Sequence, residues 1–317
     1  MINSATRLSS RLNSPRWLWS YIAAGAAWVA IILVGGNASE AASAALAFAA
    51  FTAIASIGQM LVMTVGGGSV DLSIPSAMTL GAVLSMKVMG GEGYLIPMGF
   101  AAAVLSGGVI GFANAMLVRW LRVPPLIATL GSSLVVLSIA IAIGHAIKGS
   151  PPAALAEAVQ MKAIGFPVVS VIAAALAILV GVGLERTLLG RTLCATGQND
   201  RAAALAGLPV WSARLAAYTL SGALAGFAGA LLAAYSGGSS LDLGSGYLLL
   251  SIAVVVIGGT KAAGGEPAVA GVVGASLFMF LLVSFLNTVN TGAGVRILLT
   301  GLVIIAVVSG NAESKAR

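Results

Sequence analysis

Long apolar runs broken by polar or Gly/Pro clusters divide the chain into ten segments, 17–36, 41–65, 75–90, 94–117, 125–147, 165–184, 212–235, 247–259, 267–288 and 294–310. A helix needs about 20 mainly apolar residues to cross a hydrocarbon core of about 30 Å. Inside that core each backbone N–H and C=O must be paired within the protein, which a helix achieves and an irregular lipid-facing chain does not. The pattern therefore predicts an all-α, polytopic transmembrane helical bundle of about 10 spans. Segments 75–90 and 247–259 are shorter than a full crossing. Each is tilted, joined to a re-entrant loop, or bounded wrongly by the pattern, which sets the range at roughly 8–10 spans.

Composition agrees with lipid as the main solvent. Of the 317 residues, 59% are hydrophobic and 8% charged, whereas a soluble domain carries charge on about a quarter of its residues. A formal charge of +7 would point to nucleic acid if the basic residues lined one face. Here they fall between apolar runs, which excludes nucleic acid as a partner and fits membrane topology instead. With the N-terminus inside, Lys87, Lys148, Lys162 and Arg296 lie outside and the other 12 of the 16 basic residues lie inside. Basic residues are retained on the cytoplasmic side, so both termini are expected there. The chain then reads as a cytoplasmic tail 1–16, a transmembrane domain 17–310 with an inner loop at 185–211, and a cytoplasmic tail 311–317. Trp17, Trp19 and Tyr21 suit interfacial anchors of the first span. The lone Cys194 excludes an intrachain disulfide and a Cys-cluster metal site. The lone His145 cannot by itself build a metal site and reads as an interfacial polar anchor.

Glycine, at 41 residues, carries more information than leucine. Helices in lipid adhere through close packing at small residues. Gly107/Gly111 and Gly222/Gly226 have the spacing for such seams, although Gly is also common in membrane helices generally. Two glycine-rich punctuations, Val65 to Ser76 and Gly258 to Pro267, each precede a small-residue helix on the same side of the expected topology. Asp71, beside Gly66, Gly67 and Gly68, either has a structural role, capping the next helix or pinning this loop, or relays protons, and its residue type favours the structural role. Ser73, Asn114, Thr129, Ser132 and Ser133 lie in or beside apolar spans. They can line a polar path, or be satisfied by their own helices.

The inner loop has the signals of a short helix. Asn199 or Asp200 can accept backbone N–H bonds at its start, Arg201 to Ala206 has high helix propensity, and Gly207 with Pro209 stops it. A helix this short is not stable alone in water and must pack, either on its own bundle or in a groove of another protein.

The run Gly190-Arg191-Thr192-Leu193-Cys194-Ala195-Thr196-Gly197-Gln198-Asn199-Asp200-Arg201-Ala202-Ala203, followed by Ala206-Gly207-Leu208-Pro209-Val210, resembles the coupling loop of ribose-type ABC importer permeases. Three further blocks agree in order and spacing: Val70-Asp71-Leu72-Ser73 after glycines, Arg122-Val123-Pro124-Pro125 through Gly131, and Gly258-Gly259-Thr260 ending in Gly264-Gly265. The resemblance covers the chain from about Gln59 to Val308. Ser69, Pro75, Lys261-Ala262-Ala263 and Glu266-Pro267 depart from the usual pattern, which bears on path shape and solute rather than on class.

The resemblance implies a permease subunit in a bacterial cell inner membrane that moves a sugar or similar small polar solute. Gly190, Arg191, Gly197, Asn199, Asp200, Ala203 and Gly207 would couple it to a cytoplasmic ABC ATPase subunit. Asp71, Gly258, Gly259, Gly264 and Gly265 would be structural loop residues. Further implied partners are a periplasmic solute-binding protein and a second permease subunit, identical or homologous. No cofactor, metal or catalytic residue is expected in this chain; ATP and Mg would be held by the ATPase, since no G-x-x-x-x-G-K-[ST] motif is present. The alternative is an ion-coupled secondary transporter. It would need ionisable groups inside the bundle, where the sequence offers little beyond Asp71 and Lys87.

Overall fold

The computed structural model describes residues 17–144, 149–163 and 165–289, with a few positions between 292 and 302. The two tails, His145, Lys148, Arg296 and most of the expected segment 294–310 lie outside the described residues. The elements, in order, are α1 (Leu18–Leu33), α2 (Ala38–Thr64), α3 (Ile74–Met89), a 3-10 turn (Gly93–Leu95) leading into α4 (Ile96–Trp120), α5 (Pro125–Gly144) and α6 (Ala153–Gln160). They continue with β1 (Lys162–Ala163), β2 (Phe166–Pro167), α7 (Val168–Arg186), α8 (Leu188–Gln198), α9 (Asp200–Leu205), α10 (Val210–Tyr235), α11 (Tyr247–Ile257) and α12 (Val269–Thr288).

Among the described residues six helices are long and apolar enough to cross a membrane, and α1, α3 and α11 are shorter apolar helices. The helical bundle is therefore as expected. The 11 residues of α11 rise only about 17 Å at 1.5 Å per residue, well short of the hydrocarbon core. Both α3 and α11 adjoin one of the glycine-rich loops, so the short segments belong to helices interrupted by irregular backbone. Such backbone is tolerated at depth only where protein surrounds it. One region departs from an all-α fold: the stretch between α6 and α7 forms a two-stranded antiparallel hairpin, with Lys162 opposite Pro167 and Ala163 opposite Phe166.

The long α2 is the central pillar. Asn37 starts it, its Oδ1 accepting from the backbone N–H of Ser39 (3.1 Å) and Glu40 (3.4 Å). Its apolar window is 89% buried, because α10, α12, α7 and α11 pack around it. Across α10, helices α3 and α4 complete a second layer, α5 covers α3 and α4, and α1 lies against α12.

The two glycine pairs expected as separate seams are the two sides of one. A Cβ at Gly107 would collide with the carbonyl of Gly222, one at Gly111 with the carbonyl of Tyr218, and one at Gly226 with the carbonyl of Ala103. No side chain intervenes between the backbones of α4 and α10 at these levels, which is the close approach that gives helices their adhesion in lipid. The same face of α10 presents Gly229 to the carbonyl of Met78, joining α3 to the block.

Candidate functional site

The loop between α2 and α3 begins with Gly66, Gly67 and Gly68, all at positive φ (+72°, +67° and +69°), a path that side chains with a Cβ rarely follow. It turns Asp71 into the protein, where the residue is 1% exposed. Asp71 Oδ1 accepts from the backbone N–H of Ser73 (3.0 Å) and from its hydroxyl (2.6 Å), and Oδ2 accepts from the hydroxyl of Ser221 on α10 (2.8 Å). Asn114 on α4 donates from Nδ2 to Ser73 Oγ (2.8 Å). The Thr129 hydroxyl of α5 sits within hydrogen-bonding range of Val70 O (3.2 Å) and of its own helix at Pro125 O (3.0 Å). One buried polar knot thus fastens the loop to α4, α5 and α10.

Burial pushes the Asp71 carboxyl above the usual carboxylate range, opposed by its bonds to Ser73 and Ser221. Among the described residues no cation pairs with it. Asp71 bonds the loop at Ser73 and α10 at Ser221, and it accepts from one backbone N–H near the start of α3 rather than several. Its partner Ser221 was not among the expected residues. Nothing local marks it, because 150 residues separate the two in sequence.

The expected path residues separate into two groups. Ser73, Asn114 and Thr129 converge on the knot and are fully buried. Ser132 and Ser133 are half-buried on α5, and the Ser132 hydroxyl donates back to Thr129 O of its own helix (3.0 Å).

At the far end of α2 the loop 185–211 adopts two helices rather than one. Thr187 starts α8, its Oγ1 accepting from Gly190 N (3.0 Å). Gly190 lies so close to the backbone of Leu184 that a Cβ would collide with it, which allows α7 to fold sharply into α8. Arg191 is exposed. Gly197 presses against Thr64 O and Gly265 N, and Gly264 against Gly66. Gly265 also donates from its N–H to Thr64 O (2.9 Å). The two glycine-rich loops, far apart in sequence, meet here under the end of α8. Gly259 turns at φ +89° and Gly258 packs on Gly271 at the start of α12.

Asn199 closes α8 through its N–H to Ala195 O (3.1 Å) and opens α9, its Oδ1 accepting from Ala202 N (3.0 Å). The end of α9 is a Schellman motif: Leu208 N–H bonds Ala203 O, Gly207 N–H bonds Ala204 O, and Gly207 sits at φ +77°. Asp200 ties α9 to α10 by a 3.0 Å ion pair with Arg214. Ala203 is buried against the bundle. Every other residue of α9 is exposed, among them Arg201 and Leu205, and Leu205 is 90% exposed. Cys194, on α8, is half-buried and its thiol is pushed up by that burial, so it reads as a packing residue.

The fold is that of a multi-helix membrane protein: interrupted apolar helices meet under a capped surface helix, and the buried Asp71 is held by the hydroxyls of Ser73 and Ser221. The sequence profile described as "Branched-chain amino acid transport system / permease component" matches residues 41–308, and the chain belongs to that family of ABC importer permeases. The chain is similar to the "Autoinducer 2 import system permease protein LsrD" of Escherichia coli O157:H7, with 30% identity over 264 residues, 81% of this chain and 80% of the relative. The proteins of the same description from Escherichia coli K12 and Shigella flexneri match to the same extent. No solved structure matches. Permeases of this family act with an ATPase and a solute-binding protein.

Proposed function

We propose that this chain carries a sugar or similar small polar solute across a bacterial inner membrane, driven by ATP hydrolysed on a cytoplasmic ABC ATPase that docks on α8 and α9. The carrying observation is α9 itself: a six-residue helix, fully capped at both ends, that holds Leu205 out at 90% exposure. A helix this short owes its stability to packing, and here its inner side rests on the bundle through Ala203 while Leu205 is left for a partner. The end bearing α9 is then cytoplasmic, with both termini on that side, and a periplasmic binding protein delivers solute at the opposite end. A second permease, identical or homologous, would complete the path. The LsrD relatives are named for an import system, which supports import as the direction of transport. ATP and Mg are assigned to the partner ATPase.

Force on α9 has a direct route inward. Gly207 and Pro209 join it to α10, and α10 is locked to α4 and α3 by the glycine seam, so these helices move as one block. The transition is a shift between inward- and outward-open populations, driven by differential partner binding. Ion coupling is disfavoured because both carboxylate oxygens of Asp71 are already held by serines.

The test is reconstitution with the ATPase and binding protein in proteoliposomes. Leu205→Asp should leave folding unchanged and weaken ATPase association by roughly tenfold or more, because a charge replaces an apolar anchor at the contact, with uptake falling in parallel. Wild-type uptake that persists without ATP, or full ATPase binding by the variant, would overturn the assignment.

A further inference from the structure

At the end of the bundle opposite α8 and α9 lies an open cavity of about 380 Å³, lined by the first turns of α2 (Ser39, Glu40, Ser43), by Gln160 at the end of α6 and Lys162 of β1, and by Tyr235 at the end of α10. Its position follows from two helices that run the full depth: α2 ends at Thr64 beside Gly197, and α10 begins beyond α9, so Ser39 and Tyr235 mark the other face. Nothing in the coupling mechanism uses these side chains.

The lining is chemically mixed. Glu40 supplies a carboxylate and Lys162 an ammonium, yet neither belongs to an ion pair among the described residues. The two charges face one volume with a gap between them. Ser39 and Ser43 add hydroxyls, and Gln160 adds an amide that both donates and accepts. Beneath them Tyr235 is held edge-on by Phe48 (ring centroids 5.4 Å) and Phe51 (5.5 Å), a rigid aromatic floor. Small-molecule sites occupy about 300–1,000 Å³, so the cavity suits one small ligand. A molecule rich in neutral hydroxyls can donate to Glu40, accept from Lys162, and place a C–H face on Tyr235. The ammonium and carboxylate of an aliphatic amino acid match Glu40 and Lys162, but its side chain leaves the hydroxyls of Ser39 and Ser43 and the Gln160 amide without a partner, so L-leucine is the ligand that tests the choice.

We propose that this cavity is a binding site for a neutral polyhydroxylated molecule, a small sugar or polyol, received before it enters the bundle. Its role as an entry station rests on the import reading above, whereas binding itself is independent of it.

The experiment uses the full chain in detergent, with Ser43→Cys on a Cys194→Ser background, and follows the rate of maleimide labelling in D-ribose, D-glucose, glycerol or L-leucine. At least one of the three hydroxylated probes should slow labelling several-fold while L-leucine does not. Glu40→Gln and Tyr235→Leu should each abolish that protection without changing the rate in buffer. Unchanged rates with all three hydroxylated probes, or protection by L-leucine as strong as theirs, would overturn the proposal. ATP-driven uptake by the reconstituted complex is scored separately. Uptake without protection removes this site and leaves the import reading intact; protection without uptake removes the import reading and leaves the site.

Discussion

The helices α10 and α5 are both apolar and long enough to cross a membrane, but the protein uses them in opposite ways. The window of α10, the less apolar of the two, is 61% buried, whereas that of α5 is 22% buried. Along α5, Leu126, Ile127, Leu130, Leu134 and Val135 are all exposed. Along α10, Gly222, Gly226 and Gly229 face other backbones and Ala225 is fully buried. In lipid, a large apolar side chain gains nothing by facing inward, since the outside is as apolar as the inside. What selects the interior is smallness, which lets backbones approach, together with polar groups that need partners. Hydropathy therefore finds the spans and misorders them: the most lipid-like helices are the peripheral ones.

The largest effect that would sharpen this contrast is expected at the seam. Gly222→Leu should drive the side chain into the backbone of Gly107 and cost about 3 kcal/mol or more, as overpacking of a rigid contact does, seen as loss of folded protein in thermal unfolding in detergent. The mirror change, Leu134→Gly on α5, should cost about 1 kcal/mol, near the intrinsic helix penalty for Gly. If the two changes cost the same, the seam is not the structural spine.

Next comes the buried knot. Asp71→Ala strands the hydroxyls of Ser73 and Ser221, each worth about 1–3 kcal/mol when buried without a partner. Ser221→Ala should cost about 1 kcal/mol, and much less once Asp71 is already alanine. A double-mutant cycle with additive effects would show that the two do not interact. The smallest effect is expected at the surface: Asp200→Ala breaks a half-exposed pair with Arg214 and should change stability by less than about 1 kcal/mol, with any loss of ATP-driven uptake far exceeding that change.

Much of this was legible in one dimension because the signals are local. Span positions follow from runs of apolar residues. The limits of α9 follow from Asn199 and Gly207, whose side-chain oxygen and positive φ act within one turn. The same locality explains the misses. The helix α8 has no strong N-terminal signal beyond Thr187, and its stability comes from packing Leu193 and Thr196 inward. Ser132 resembled Thr129 in the sequence, yet the structure brings only Thr129 to the knot. Leu205 looked like one more helix former until its direction was known.

The chain's own sequence determined that it is a bundle of apolar helices suited to lipid, where a capped helix interrupts them, and that its glycines matter. Only the tertiary structure decided what those glycines touch: Gly107 with Gly222, and Gly66 with Gly264 and Gly197. It alone decided which serine holds Asp71, and that Ser39, Lys162 and Tyr235 share one cavity. The reason is physical. A glycine or a buried hydroxyl carries no mark of its partner, and in a solvent that does not sort apolar side chains, contact is set by how closely backbones can meet.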